Sequence, residues 1–316
     1  MPVKKERRVY RTWMVDSRRW DGYRPRPGDV IVATYPKCGT TWVQQIVTLL
    51  IFQTPEPRPI SDVAPWIDRR LGGPPEPLFA TLDAQTHRRS LKTHLPLDGL
   101  PMHDEVKYIH VARDGRDACI SYHNQITRFK PEVRAALDEA GLSDETLRRP
   151  YPAFPESAGE YFRMWMSEGV GGASDGTPFL SYFDLEKTYW RERRRGNLLM
   201  VHYRDLKADL VGEMRRVAEF LEIPVAEPIF ADLVQAATFE NMRRVGHELM
   251  PRVMKTFEGG TERFFYKGEN DRWRGVLSED DLALYEGKVK ASLSPACAAW
   301  LAHGRAGTCD PRAAPD

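Results

Sequence analysis

Short apolar runs alternate with longer amphipathic stretches along most of the chain. Runs of four to seven β-branched and other apolar residues predict buried strands, and they occur at 29–34 (DVIVAT), 90–93 (SLKT), 106–112 (VKYIHVA) and 198–203 (LLMVHY). Apolar positions at helical spacing predict helices over 41–52 and 206–221. Strands that alternate with helices favour an α/β fold in which a largely parallel sheet carries helices on both faces.

The remaining segments complete this outline. Helices are expected from the end of the 106–112 strand to about residue 127, in two pieces within 159–193, and from 279 to 301. Segments rich in Pro, Gly or charge predict loops at 54–79, at 128–158 with one short helix, and at 239–275. No interdomain linker interrupts the 316 residues, so we expect a single domain over 1–316, with its core at about 20–285 and a tail at 303–316.

The charge balance excludes a global attraction to polyanions. The formal net charge is +1, so we expect neither a nucleic-acid nor a membrane partner, and basic residues must act locally. The basic segment 1–19 lacks the apolar stretch of a signal peptide, and we expect it to be a solvated tail. Four widely spaced cysteines fit neither a disulfide framework nor a metal site, which favours a reducing cytoplasm.

The stretch TYPKCGTTW, at 34–42, lies between the first predicted strand and the first predicted helix. Backbone N–H groups at a helix N-terminus form an anion-binding site, to which the helix dipole adds. Gly39 allows a ligand to approach the backbone, Thr40 and Thr41 offer hydroxyl groups, and Lys37 supplies a positive charge. The pattern predicts a P-loop-like phosphate-binding turn, and the alternative is a plain Pro-Gly loop with an exposed lysine.

The order of residues in this turn argues against an ordinary kinase or ATPase. The nucleotide-triphosphate loop is GxxxxGK[ST], with the lysine after the second glycine. Lys37 instead precedes Gly39, and no GxxxxGK[ST] occurs in the chain.

His94 is the candidate general base. It follows the strand at 90–93 and comes two residues after Lys92. An imidazole titrates at about 6.5, so it can accept a hydroxyl proton near neutrality. A single histidine is more often structural, and the residues alone leave both interpretations open.

Five segments in the same order resemble motifs of the cytosolic-type sulfotransferases, which use 3′-phosphoadenosine 5′-phosphosulfate (PAPS). They are TYPKCGTTW, LKTHLP at 91–96, YIHVARDGRDACISYHN at 108–124, LLMVHYRDL at 198–206 and FFYKGENDRWRG at 264–275. The resemblance spans about residues 20–285. It implies a metal-independent transfer of a sulfuryl group from PAPS to a phenol or alcohol of a small-molecule acceptor, leaving adenosine 3′,5′-bisphosphate. A nucleotide kinase and a non-catalytic nucleotide-binding protein are the alternatives.

The resemblance also assigns roles to residues. It implies His94, Lys37 and Lys92 as the catalytic group, with His94 as base and the two lysines replacing a metal ion. The nucleotide-binding set that it implies is Lys37, Cys38, Gly39, Thr40, Thr41, Trp42, Arg113, Ser121, Tyr203, Phe239, Tyr266, Lys267 and Gly268. Arg113 and Ser121 are expected at the 3′-phosphate, with the loop of Lys267 and Gly268 closing over it.

Several positions depart from the family pattern. The family usually has Ser where this chain has Cys38, and Arg where it has Tyr266, so Arg263 or Arg272 could supply the missing 3′-phosphate cation. The family's short dimerisation motif is not clearly matched in this chain, so monomer and homodimer both remain open. Apolar residues expected near the acceptor are Trp66, Leu71, Phe79, Phe129, Met250 and Phe257, beside an arginine group (Arg69, Arg70, Arg88, Arg89) that indicates either an anionic acceptor or a solvated rim.

Overall fold

A computed structural model describes residues 7–316 and contains the expected parallel sheet. The strands are β1 (Val30–Thr34), β2 (Ser90–Thr93), β3 (Lys107–Ala112) and β4 (Leu198–His202). They lie in the order β2-β1-β3-β4, and each neighbouring pair is parallel. The predicted α/β class is therefore confirmed.

Both faces of the sheet are covered. In β1 every residue is buried, and alternate side chains point to opposite faces, as a strand requires. Val30 and Val32 belong to one hydrophobic cluster, whereas Ile31 and Ala33 belong to another. Because each fully buried valine or isoleucine contributes about 1.5–3 kcal/mol, this apolar pattern fixes β1 in the centre of the sheet.

Helices surround the sheet. The first half of the chain contributes α1 (Thr40–Phe52), α2 (Ile60–Val63), α3 (Glu76–Ala84), α4 (Gly115–Ile126), α5 (Pro131–Leu142), α6 (Ala158–Ser167) and α7 (Tyr182–Arg191). The second half contributes α8 (Tyr203–Ala208), α9 (Leu210–Phe220), α10 (Glu227–Ala236), α11 (Phe239–Arg244), α12 (Gly246–Leu249), α13 (Val253–Thr256), α14 (Gly260–Phe264), α15 (Glu279–Ser292) and α16 (Pro295–His303). Short 3₁₀ turns lie at Ser17–Gly22, Leu97–Gly99 and Pro311–Ala313. Among residues 7–316, no helix combines the length and apolar composition needed to cross a bilayer.

Several predicted loops and boundaries were wrong. The segment 239–275 contains α11 to α14, which are only four to six residues long and too short to show a helical period. The segment 54–79 contains α2 and the start of α3, whereas the segment 128–158 contains the one helix that was predicted there, the 12-residue α5. The predicted helix over 279–301 is two helices, because Leu293 and Ser294 are extended just before Pro295.

The two ends of the described chain pack against the domain. The expected solvated tail at 1–19 was wrong for its later part, where Trp13 and Val15 are fully buried and the Trp13 indole donates to the carbonyl of Arg149. The part of that prediction at residues 1–6 lies outside the described residues. At the other end, Ala314 is buried and the Asp316 carboxylate accepts the backbone N–H of Ala296. At both ends, the burial of aromatic and apolar side chains thus decides the packing, although basic residues surround them.

The carboxyl ends of the strands meet at one edge of the sheet. The turn TYPKCGTTW follows β1, His94 follows β2, Arg113 follows β3 and Tyr203 follows β4. Ligands of open parallel sheets bind in the crevice outside this edge. The topology therefore brings together segments that are up to 166 residues apart in sequence (37 to 203).

Candidate active site

The turn after β1 has a backbone that few residues adopt. Gly39 has a φ of 106°, and a Cβ atom at this position would lie 2.9 Å from the Tyr203 ring. Lys37 also has a positive φ, of 71°. A non-glycine residue held in this region costs about 1–3 kcal/mol, and such strain is concentrated at functional sites.

Helix α1 begins at this turn with its N-terminus turned to the cavity. Gly39 provides no side-chain cap, so the first N–H groups of α1 are not capped by a side chain of the described chain. The hydroxyl of Thr40 lies 2.6 Å from that of Thr34. Uncapped N–H groups and the positive end of the helix dipole together favour an anion.

His94 is held with one ring nitrogen engaged and the other free. Its Nδ1 lies 2.8 Å from the carbonyl oxygen of Thr34, which can only accept, so Nδ1 carries the proton. The ring stands edge-on to Trp66 and Phe179, with centroids 5.0 and 5.9 Å away. Burial, and then the charge of Lys92, hold the pKa of His94 well below its usual value near 6.5. The imidazole is therefore neutral near pH 7, with the lone pair on Nε2.

Behind His94 lies a buried carboxylate that sequence reasoning missed. Asp68 is fully buried, and its Oδ2 accepts the Trp66 indole N–H at 2.8 Å and the His94 backbone N–H at 3.4 Å. Trp66 in turn packs under Lys92, whose ammonium nitrogen is 4.5 Å from the indole centroid. Asp68 and Trp66 thus fix the positions of both Lys92 and His94.

The two lysines share an environment that disfavours charge. Burial is the main cause in each case, and it lowers the pKa of Lys37 to about 7 and that of Lys92 to about 8. Arg113, Arg272 and Lys92 lower the pKa of Lys37 further by like-charge repulsion. The Lys37 ammonium lies 4.8 Å from the Phe264 ring centroid. An anionic ligand would relieve this repulsion.

Arg113 continues the site from the end of β3. Its side chain is 5% exposed, its guanidinium stacks on the Tyr203 ring at 4.2 Å, and it donates to the carbonyl of Lys37 at 3.3 Å. Tyr203 meets Trp42 edge to face at 5.4 Å, and the Trp42 indole donates to the carbonyl of Ala237. These aromatic rings form an apolar wall beside the cationic group.

The loop at 266–275 is attached to the N-terminal end of α4. The buried Asp117 carboxylate accepts the backbone N–H groups of Asp271 and Arg272 at 2.8 and 2.7 Å, and Arg113 donates to the carbonyl of Glu269. Gly268 has a φ of 65°, and a Cβ there would lie 2.6 Å from the Phe239 ring. Glycine at 268 is therefore required for the loop to pass this close to Phe239.

One cavity brings together the residues of all these segments. Of the predicted site residues, those that line it are Lys37, Gly39, Thr40, Thr41, Trp42, Lys92, His94, Arg113, Ser121, Tyr203, Phe239, Tyr266, Lys267 and Gly268. Cys38 is the exception, because its thiol is fully buried in the hydrophobic core and its N–H donates to the carbonyl of Tyr35. Lys37, Lys92, Arg113, Lys267 and Arg272 supply five cations, and no carboxylate of the described chain lines the cavity.

Most of the apolar residues expected near the acceptor do not line this cavity. Among the six apolar residues suggested by sequence, only Trp66 lines the cavity; Phe129 and Phe257 instead stack on each other 5.1 Å apart. Three of the four suggested arginines (Arg70, Arg88 and Arg89) donate hydrogen bonds to other parts of the fold, Arg89 to Asp29 at 2.9 Å. Apolar residues that do line the cavity include Met14, Tyr122, Phe179 and Phe264. Met14 and Phe179 lie outside the quoted motifs, whereas Thr34, Tyr122 and Phe264 lie within them and were overlooked.

Metal-ligand side chains do not cluster in the described chain. Within residues 7–316, no group of three or more His, Cys, Asp or Glu side chains has the arrangement that holds a metal ion.

Comparisons with known proteins agree on one family. A family model described as the sulfotransferase domain matches residues 27–290. A glycolipid sulfotransferase of Mycobacterium bovis is 37% identical over 317 residues, covering 96% of each chain, and sulfotransferase 1B1 of Mus musculus is 25% identical over 286 residues, covering 87% of this chain and 86% of its own. The crystal structure of retinol dehydratase with androsterone and the inactive cofactor PAP superposes with a TM-score of 0.67 at 23% identity, covering 93% of this chain and 88% of the other, which is a likeness of fold.

Proposed function

The chain belongs to the sulfotransferase domain family, and from this premise we propose that it transfers a sulfuryl group from PAPS to a hydroxyl group of an acceptor. The observation that carries the proposal is the charge of the cavity, where five cationic side chains and a neutral histidine meet no carboxylate of the described chain. A polyanionic nucleotide satisfies such a cavity. The product nucleotide would be adenosine 3′,5′-bisphosphate.

The residues present fit this nucleotide. The buried Arg113 Nε has no hydrogen-bond partner in the described chain, and the uncapped start of α1 faces the same cavity. We assign the 5′-phosphosulfate to Lys37, Gly39, Thr40 and Thr41, the 3′-phosphate to Arg113, Ser121, Lys267 and Gly268, and the adenine to Trp42, Tyr203 and Phe239. When bound, PAPS supplies an activated sulfuryl group whose leaving group is a phosphate.

His94 acts as the general base in this proposal. The carbonyl of Thr34 holds the Nδ1 proton, so Nε2 is the nitrogen that accepts the proton of the acceptor hydroxyl. The low pKa of His94 keeps Nε2 unprotonated at neutral pH. The hydroxyl group of Thr34 also contacts both His94 Nδ1, at 3.1 Å, and Thr40. This contact links the base to the phosphate-binding turn.

Lys37 and Lys92 stabilise the charge that moves during transfer. Lys37 belongs to the phosphate-binding turn and stabilises the phosphate that leaves, while Lys92, two residues before the base, steadies the sulfuryl oxygens. Preorganised cations in a dry cavity contribute more than the same charges in water. In this proposal the two ammonium groups do the work for which phosphoryl-transfer enzymes use a metal ion.

The acceptor would approach His94 through an apolar part of the cavity. Trp66, Phe179 and Phe264 line it, with the Tyr122 side chain beside them. This lining suits a small molecule with a hydroxyl group on an apolar body, such as a phenol or an alcohol. The name of the mycobacterial relative adds glycolipids to the acceptors to be tested.

The cytoplasm is the compartment that we propose. All four cysteines are free thiols, and three of them are buried. Free thiols persist in a reducing compartment.

A transfer assay tests the proposed function. The protein is incubated with ³⁵S-labelled PAPS and a panel of phenols, alcohols and glycolipids, in buffer with and without excess EDTA, and a parallel set contains ATP with Mg²⁺. We expect a labelled sulfate ester with at least one acceptor, at the same rate in EDTA. A Mg²⁺-dependent phosphorylated product and no sulfated one would contradict the proposal in favour of a kinase.

Nucleotide binding is expected to take up protons at pH 8. In the free enzyme Lys37, with a pKa of about 7, is largely neutral at this pH, and Lys92, with a pKa of about 8, is half charged. A bound phosphate favours the charged lysines and raises both pKa values, so about one proton enters per nucleotide. Affinity should therefore fall as the pH rises from 7 to 9.

Calorimetry measures this uptake. Adenosine 3′,5′-bisphosphate is titrated at pH 8 in buffers of different ionisation enthalpy, because its phosphates, with second pKa values near 6, are already deprotonated there. The observed heat should change with the buffer in the direction of uptake, and less so for Lys37→Met. A buffer-independent heat in the wild-type protein would show that no net proton is taken up and would contradict this prediction.

A further inference from the structure

Arg272 lies in the nucleotide cavity although the family motif does not assign it a role there. It lines the same cavity as Arg113, Ser121 and Lys267. Arg263, the other candidate for the missing cation, does not line this cavity but a smaller adjoining pocket, which Arg272 also lines. The two candidates that sequence left equal are therefore separated by the fold.

The backbone of Arg272 is anchored, but its guanidinium is not. Asp117 accepts the Arg272 N–H at 2.7 Å, which ties the residue to α4 beside Arg113. The Arg272 guanidinium lies 5.1 Å from the Tyr266 ring centroid, and within residues 7–316 no side chain or backbone group accepts a hydrogen bond from it. Five N–H donors are thus available to a ligand in a fork that suits a phosphate.

Two guanidinium groups in one cavity repel each other unless an anion lies between them. Burial, and then Arg113, lower the pKa of Arg272, and Asp117 offsets this only in part. Asp117 is occupied by two backbone N–H groups and is 3.7 Å from Arg113. The pair of arginines, Arg113 and Arg272, therefore lacks a group that accepts hydrogen bonds from both guanidinium groups.

We propose that Arg272 binds the 3′-phosphate of the nucleotide together with Arg113, and so selects nucleotides that carry this phosphate. The proposal rests on the proposed function, because it takes the 5′-end to lie at the turn of Lys37. A donor with two phosphate groups needs two cationic subsites, and Arg272 belongs to the one that contains Arg113. Tyr266, which stands where the family has an arginine, then supplies a ring beside the Arg272 guanidinium instead of a charge.

Nucleotides with and without a 3′-phosphate test this assignment. Dissociation constants are measured for adenosine 3′,5′-bisphosphate and for adenosine 5′-monophosphate with the wild-type protein, Arg272→Ala and the matched control Arg263→Ala. We expect Arg272→Ala to weaken the bisphosphate about 10- to 100-fold, as for the loss of a charged hydrogen bond, with the monophosphate unchanged. Unchanged monophosphate binding also shows that the variant is folded.

Three results would overturn the assignment. They are an unchanged affinity of Arg272→Ala for the bisphosphate, an equal loss for both nucleotides, and a loss in Arg263→Ala as large as that in Arg272→Ala. Each of these leaves sulfuryl transfer by the wild-type protein untouched. Failure of the wild-type protein to bind the bisphosphate at all would instead refute the proposed function, so the two failures are distinct.

Discussion

Replacing His94 with alanine is expected to lower kcat by about 10²- to 10⁴-fold, the usual contribution of a general base. The variant loses Nε2, the nitrogen left free when Nδ1 donates to the carbonyl of Thr34. Affinity for adenosine 3′,5′-bisphosphate should be retained, since His94 belongs to no phosphate-binding segment. Single-turnover transfer at saturating PAPS, together with calorimetric binding of the product nucleotide, measures the two effects separately.

The pH profile gives the His94 prediction a second readout. Because the pKa of His94 lies well below 6.5, the wild-type rate should be unchanged when the pH is lowered to 6.5. It should fall only when the pH is well below this value. His94→Gln, which keeps most of the volume between Trp66 and Phe179, should lose both the rate and this acid limb. The exposed His247 provides the control, and His247→Ala should match the wild type. A His94→Ala variant that turns over at the wild-type rate would remove His94 from the mechanism.

Replacing Lys37 with methionine is expected to lower kcat by about 10²- to 10³-fold, as does the loss of one group that stabilises developing charge. Methionine keeps the length of the side chain and its packing against Phe264 but removes the ammonium group. The loss in kcat should exceed the loss in affinity for adenosine 3′,5′-bisphosphate, because charge develops on the leaving phosphate only during transfer. Rapid-quench kinetics and calorimetry provide the two numbers.

An exposed lysine provides the control for this prediction. Lys207 lies on the surface of α8, and Lys207→Met should leave both quantities unchanged. If Lys37→Met weakened nucleotide binding as much as it slowed transfer, Lys37 would act in binding alone. Lys92 would then be the one lysine left to stabilise the transferring group.

The sequence predicted the elements that the sheet is built from. The residues of β1 to β4 are short apolar runs that must be buried, and their bounds were correct to within one residue. The turn between β1 and α1 was also predicted, because Pro36 and Gly39 interrupt the apolar pattern there. Strands and turns can be recognised in a sequence because their burial pattern and backbone geometry depend on neighbouring residues.

The short helices at 239–264 and the packed end of the chain at 8–19 were not predicted. A helix of four residues gives no periodic signal, and its stability comes from tertiary packing. Trp13 and Met14 lie in a basic segment, and their burial depends on partners such as Leu137 and Tyr151, which come more than a hundred residues later. No pattern among neighbouring residues predicts a contact between residues so far apart in the sequence.

For this protein the sequence by itself determined the fold class and most residues that line the cavity. The tertiary structure decided which of them lie together: that Cys38 is buried in the core, that Asp68 and Trp66 support Lys92 and His94, and that Arg272, not Arg263, lines the cavity with Arg113. The physical reason is that side-chain direction, burial and the repulsion between like charges depend on distances between segments. Those distances exist only after the strands have aligned and their carboxyl ends have met.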